Sequence, residues 1–421
     1  MTQKFISDVG YKITAVAFRF VCENQNGESD SSWKNVLSNI CLLLDDDVDI
    51  FLAVEKSCLN SAKMFQQEMK AKNRNVFVDF LEKPTWKNMG DRWIQDHMLV
   101  GYYSFMRDRK NFSGDFNYTS DFLIDTYNIA ICNEKSEIRS QGGALLISDE
   151  VIFAHPLYIG DFPDMNPDAK GDNFYNTSLD DRLILITGLP PDNLRSLIQR
   201  RDTTQSDRTK SILNAIIEKY SHSRFMYNFN SILVKILKFI YHPIYSSDLA
   251  HLDCQIALTG LNNNIVVGMP IQTLTDIDMF KSDIKQLTSN SIIGDDKLHE
   301  LQRKTVKMAK LLQQSGFNIT WVPLPLFSEK TDDFYLGSYT NVILENRPTN
   351  RVWMVEYGDE DQAMRIYDTI NQEIWRSLGF EVRLVKGLFK YAADSGGVRC
   401  MTKVLARGAP LRREPINEKE T

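Results

Sequence analysis

VWMVEYGDEDQAMRIYDTINQEIWRSLGFEVRLV, residues 352–385, carries the pattern from which the architecture can be read. Its opening, Val352–Glu356, is an apolar run of strand length. Ala363, Ile366, Ile370, Ile374 and Leu378 then recur at the three- and four-residue spacing of one helix face. Gly379 follows the last of them, where a left-handed C-terminal cap is wanted, and Phe380–Val385 returns to strand.

The same strand–helix–strand order occurs twice more. Ile265–Met269 reads as a strand, Leu298, Leu301, Met308 and Leu312 mark a helix face, Gly316 ends it, and Phe317–Val322 is again a strand. Nearer the N-terminus, Asp49–Val54 is a strand and Ser57 a candidate N-cap. Cys58, Ala62, Phe65 and Met69 share a helix face over about 57–72, and Val76–Leu81 follows as strand. The Gly-Phe pairs at 316–317 and 379–380 match, as a glycine cap entering a core strand would. Three such units predict an α/β fold. They fit an internally repeated architecture and equally a set of unrelated βα units in one doubly wound sheet.

Between these units the pattern loosens. Lys12–Cys22 and Leu183–Thr187 read as further strands, and Asp161–Asn176, rich in Asp, Asn, Pro and Gly, as a long loop. Residues 191–242 look mainly helical. Within them Ile232–Ile244 reads as an amphipathic helix packed on the protein, too short and too charged, at Lys235 and Lys238, to span a bilayer. With no convincing linker, the expected organisation is a single domain over 1–411, a largely helical insertion at about 190–245, and a charged tail over 412–421.

A chain of 421 residues, 43% hydrophobic and 25% charged, has an ordinary globular composition and buries a core without metal or disulfide support. A net charge of −6 gives no global field to attract nucleic acid or an anionic membrane. The six cysteines, Cys22, Cys41, Cys58, Cys132, Cys254 and Cys400, are scattered without a CxxC pair. That pattern is neither a zinc signature nor a dense disulfide framework, and it suggests a reducing compartment. The first residues, MTQKFISDVGYKITAV, lack the basic and apolar regions of a signal peptide, so a cytoplasmic location is expected, with non-classical export left open.

Three polar clusters stand at strand edges. The first, DRWIQDHMLVG at 91–101, places Asp96 and Trp93 just before an apolar run. In the second, His251 and Asp253 would share one face if the segment is extended, and a carboxylate beside an imidazole suits acid–base work near neutral pH. The third, YAADSGGVRCMTKV at 391–404, presents Cys400 after the pair Gly396-Gly397, with Val398, Met401 and Val404 as the edge of a core strand. Each has an ordinary reading too: a capped aspartate, a surface His–Asp pair, a buried small hydrophobe. Together they supply a nucleophile, an acid–base and two carboxylates. Two acids suit a cationic substrate, since a guanidinium's planar fork of N–H donors matches carboxylates, and Trp93 adds a face for stacking.

WIQD at 93–96, HLD at 251–253 and GGVRCMT at 396–402 resemble, in order, the signature segments of the guanidine-modifying superfamily. That group includes peptidylarginine, agmatine and arginine deiminases and amidinotransferases. Gln141-Gly142-Gly143, Ser338-Tyr339-Thr340-Asn341 and EYGDEDQA at 356–363 fit as well, so the likeness spans roughly 45–410. The resemblance implies the pentein fold, an α/β propeller of five pseudosymmetric ββαβ-type blades. It also implies Cys400 as nucleophile, His251 as general acid–base, and Asp96 and Asp253 as guanidinium-binding carboxylates; no cofactor is expected, and the departures at His97 and Leu99 argue against calcium. Arg399 stands where many members have His; strand alternation would point it away from Cys400, which gives it no catalytic role. His97 and Leu99 replace the acids that follow WIQD in calcium-activated deiminases, and Gln141 replaces the Glu of an EGGN segment. Arg139 is then a candidate for a substrate carbonyl or anion.

The implied activity is hydrolysis of an arginine-derived guanidinium, held in a peptide or protein, through a covalent thiouronium adduct. Two alternatives stand beside it: removal of a substituent from a modified arginine, such as methylarginine or ADP-ribosylarginine, and an inactive arginine-binding scaffold.

Overall fold

The structure, a computed structural model, describes residues 6–22, 30–81, 99–102, 126–127, 129–132, 145–147, 151–154, 183–187, 224–229, 232–237, 252–271, 296–314, 317–328, 334–394 and 396–408. The stretches 161–176 and 412–421 of the sequence reading lie outside these residues.

Near the N-terminus, Ile13–Phe20 (β1), Asp49–Glu55 (β2) and Asn75–Leu81 (β3) run in parallel. Parallel neighbours need a crossover, here the helices Ser31–Leu43 (α1) and Leu59–Lys70 (α2). Every residue of β1 is buried, as expected of a strand covered on both faces. Asp30 caps α1, its carboxylate accepting the Trp33 N–H at 3.0 Å. Ser57 does not cap α2. A short 3-10 turn over Lys56–Cys58 precedes that helix, and Cys58 is bonded to Cys22 as a disulfide. A bonded pair among the described cysteines means that spacing alone does not report the redox compartment.

Leu99–Tyr102 (β4) and Ile129–Cys132 (β5) form an antiparallel pair. Leu145–Ile147 (β6), Val151–Ala154 (β7), Leu183–Thr187 (β8), Arg224–Phe229 (β9) and Ile232–Leu237 (β10) make one sheet, in the order β6-β7-β8-β10-β9. Here the expected helix fails. Ile232–Leu237 is a strand, paired antiparallel to β9 with Ile232 opposite Phe229, and parallel to β8. A short apolar run broken by a single lysine, Lys235, reads the same in a helix or a strand, and the β-branched Ile232, Val234 and Ile236 favour the strand. The insertion is therefore not helical where it is described.

The two C-terminal units form as their spacing predicts. Ile256–Leu258 (β11), Asn264–Ile271 (β12), Asn318–Ser328 (β13) and Phe334–Leu336 (β14) make a sheet, with helix Asp296–Gln314 (α3) crossing between β12 and β13. Ile343–Asn346 (β15), Asn350–Val355 (β16) and Glu381–Val385 (β17) make the next, with Arg365–Ser377 (α4) as crossover. Gly379 adopts φ 86°, its N–H bonded to Arg376 O and that of Phe380 to Trp375 O, so the helix ends on the glycine as read. Trp375, fully buried, meets Phe380 edge-on. The last strand, Thr402–Arg407 (β18), pairs antiparallel with β1 and closes the first sheet.

Four of these sheets repeat one arrangement: an antiparallel pair followed by a parallel third strand. The sets are β18-β1-β2, β6-β7-β8, β11-β12-β13 and β15-β16-β17. Strands spread over five sheets of mixed direction exclude one doubly wound sheet and leave the repeated α/β architecture.

A strap at residues 6–10 ties three sheets together. Asp8 N–H donates to Ile147 O at 2.6 Å, and the Ile147 N–H returns to Asp8 Oδ2 at 2.7 Å. Arg407 donates to Ser7 O, Asp8 O and Leu344 O at 2.6–2.7 Å. The strap thereby places the Asp8 carboxylate beneath Cys400's own segment.

Candidate active site

Cys400 sits in a single helical turn, Val398–Met401 (α5), that leads into β18. The sequence reading put a strand edge here. The turn begins after Gly397, where a Cβ would lie 2.9 Å from Asn341 Oδ1 and Asn341 Cβ, so glycine lets the two segments close on each other. Asn341 then grips the cysteine twice: its Oδ1 accepts the Cys400 N–H at 3.0 Å, and its Nδ2 reaches Cys400 Sγ at 2.9 Å.

Asn341 ends the loop Ser338-Tyr339-Thr340-Asn341, which precedes β15. Ser338 Oγ accepts the Asn341 N–H at 3.1 Å and donates to Cys254 O at 3.1 Å, while Thr340 Oγ1 donates to Asp253 O at 3.1 Å. These bonds fasten the loop to a 3-10 turn at Leu252–Cys254. Asp253 therefore lies in a turn, not in the extended segment expected, and its carbonyl and that of Cys254 are taken by Thr340 and Ser338. Tyr339, next in the loop, donates its hydroxyl to Asp368 Oδ1 on α4 at 2.6 Å.

Asp253 is fully buried (0% exposed), and its Oδ2 lies 3.6 Å from Cys400 Sγ. The same oxygen accepts Arg399 Nη1–H at 2.7 Å, and Arg399 Nη2–H donates to Asp8 Oδ2 at 2.9 Å. Arg399 is 4% exposed. Burial alone would pull its pKa down, but the carboxylates of Asp8 and Asp253 outweigh that and raise it, so the guanidinium is charged at every ordinary pH. A thiol, a carboxylate, a guanidinium and an amide thus meet in one water-poor site. That set can hold a nucleophilic sulfur in a fixed orientation beside a carboxylate that accepts N–H donors.

Of the residues read from the sequence, Cys400 and Asp253 are brought together. His251, Asp96, Trp93 and Arg139 lie outside the described residues. Sequence reasoning assigned no role to Asn341, although its segment was noted for resemblance. It dismissed Arg399 on strand alternation, which does not hold in a helical turn, and it had no signal for Asp8. Among the described residues no cluster of His, Cys, Asp and Glu could hold a metal ion, and no helix is long and apolar enough to cross a membrane.

Among solved structures, the chain is similar to a provisionally named agmatine deiminase at TM-score 0.51, with 11% identity over 96% of this chain and 95% of that one. The chain shares the α/β fold of that structure. Two further structures resemble it: agmatine deiminases of C. jejuni (TM-score 0.49, 11% identity, 96% of each chain) and of Enterococcus faecalis (TM-score 0.45, 9% identity, 96% of each chain). No family model and no curated protein matches the chain. Likeness at 11% identity speaks to the fold alone.

Proposed function

We propose that this protein is a cysteine-dependent hydrolase of guanidinium C–N bonds, acting on arginine held in a peptide or protein. The observation that carries the reading is Cys400 Sγ at 3.6 Å from the buried Asp253 carboxylate, with Asn341 fixing both the sulfur and its backbone. Asp253 already accepts a guanidinium N–H from Arg399. A carboxylate offers about four lone-pair positions, so that contact does not exhaust it. The large insertion and the absence of a Glu at Gln141 support a large substrate over a free amino acid.

In this reading the Cys400 thiolate attacks the guanidinium carbon, held by Asp253 and Asp96. His251 gives its proton to the departing amine, leaving a thiouronium adduct. Water, deprotonated by His251, adds to that carbon, the C–S bond breaks, and a ureido product leaves with the thiolate restored. The covalent route divides one difficult displacement into two easier ones. Trp93 stacks on the cation and Arg139 takes a carbonyl or anion of the substrate. The five sheets are then the blades of a pentein propeller closed by β18 on β1, in a single domain over 1–411.

The test is incubation with arginyl peptides, arginine, agmatine and N-substituted arginines, with ammonia, released amine and ureido product measured. Turnover on arginyl peptides that falls by at least about 10⁴-fold in Cys400→Ala is the expected result. Absence of turnover on every guanidine, or full activity in Cys400→Ala, overturns it.

A further inference from the structure

Arg399 is the feature of the site that the proposed reaction does not use. Its guanidinium is buried, adjoins the nucleophile in sequence, and is strung between two carboxylates on different parts of the chain. Asp253 comes from the 3-10 turn before β11, and Asp8 from the N-terminal strap. Asp8 is itself fixed by the Ile147 N–H at 2.7 Å.

The electrostatic consequence follows from distance. A carboxylate 3.6 Å from a sulfur opposes the thiolate, since two anions would share a site with little water to screen them. Arg399 Nη1, 2.7 Å from that same oxygen, offsets the repulsion. Asp8 acts in the opposite sense, drawing on the guanidinium from its far side at 2.9 Å. The charged groups facing Cys400 from the described elements are thus Asp253, Arg399 behind it, and Asp8 behind Arg399. Asn341 faces it as a neutral donor.

We propose that Arg399 is a positioning residue that acts through Asp253: it fixes the carboxylate against Cys400 and cancels its charge, so that the thiol ionises before any cationic substrate arrives. The inference rests on Cys400 being the nucleophile of the proposed function. It adds that the counter-charge is supplied by the chain, with the strap carboxylate of Asp8 setting how much of it reaches the thiol.

The experiment is an ultraviolet titration of the thiolate band in the full chain, taken as the difference from Cys400→Ser so that the other cysteines cancel. Thermal unfolding of each variant confirms that it is folded. Arg399→Met is expected to raise the Cys400 pKa by at least about one unit, a tenfold loss of thiolate below the pKa. Arg399→Lys should restore most of that loss. Asp8→Asn, which removes the opposing charge from the far side of the guanidinium, should lower the thiol pKa. Shifts of the same sign in Arg399→Met and Asp8→Asn would mean general disruption of packing and would overturn the proposal, as would an unchanged pKa in Arg399→Met. The titration needs no turnover. A thiol that responds as described in a protein inert toward every guanidine removes the proposed function alone; turnover with an unresponsive thiol removes this inference alone.

Discussion

Two buried carboxylates flank the loop at 338–341 and are held in opposite ways. Asp253 takes a guanidinium, with Arg399 Nη1 at 2.7 Å. Asp368 takes neutral donors: the Tyr339 hydroxyl at 2.6 Å and the N–H groups of Tyr357 and Gly358 at 3.1 and 2.7 Å. Burial pushes the Asp368 carboxyl up, and its donors only partly pull it back. Dipoles orient a carboxylate without cancelling its charge; a guanidinium does both. The first arrangement stands beside a thiol, Cys400, whose ionisation a lone anion would oppose. The second anchors Tyr339 in the same loop. Gly358 shows how tightly that anchor is built, since a Cβ there would lie 2.5 Å from Asp368 Oδ2.

The largest effect that tests this contrast is on stability. Asp253→Ala takes from the buried Arg399 the carboxylate at 2.7 Å, and breaking a buried pair from one side costs about 3–5 kcal/mol. Urea unfolding of wild type and variant measures it. A cost no greater than that of a surface substitution, within about 0.5 kcal/mol, would mean the pair does not hold the turn at Leu252–Cys254.

The sequence made the two C-terminal units legible because each side of the pattern agreed with the other. The spacing from Ala363 to Leu378 and the Gly379 stop both required a helix there, and α4 with its φ 86° cap is what formed. Leu183–Thr187 was legible for a simpler reason: five apolar or β-branched residues between Asp181-Arg182 and the breakers Gly188 and Pro190 are too few for a helix. Ile232–Leu237 was not, because six residues with one lysine among apolar neighbours are too few to show a period. In the site, Cys400 and Asp253 were legible as residue types in ordered segments. Their surroundings were not. The alternation that set Arg399 aside assumes an extended backbone. In a helical turn neighbours differ by about 100°, so Arg399 and Cys400 both reach Asp253 Oδ2. Asp8 is 245 residues from Asp253 in the chain, and only the folded strap brings the two within reach of one guanidinium.

At the Asp368 end the expected effect is smaller. Tyr339→Phe removes one of three donors from a buried carboxylate, at a cost of about 1–3 kcal/mol in urea unfolding. It also frees one anchor of the loop that carries Asn341, so any activity should fall less than in Asn341→Ala, which removes both bonds to Cys400. A Tyr339→Phe cost exceeding that of Asp253→Ala would reverse the ranking of charged over neutral support.

The smallest effect is the pH dependence of stability, and its sign is fixed by the direction of the shift. Asp368 has a folded pKa above its ordinary value of 3.8, because burial disfavours the anion more than its donors favour it. The folded state therefore holds the proton more tightly than the unfolded chain. The stability this group contributes is complete below its unfolded pKa and is lost as pH rises through its folded pKa. Glu345 and Glu356, raised mainly by burial, act in the same direction. Asp368→Asn cannot titrate, so its unfolding free energy should decline less than that of wild type as pH rises from about 4 toward neutrality, by at most about 1.4 kcal/mol per unit. The quantity that decides is the slope, since the substitution also lowers stability at every pH by setting an amide N–H against a donor. Equal slopes in wild type and Asp368→Asn would mean that the neutral donors do hold Asp368 as an anion, and that the Asp253 site gains nothing from its guanidinium that three dipoles could not supply.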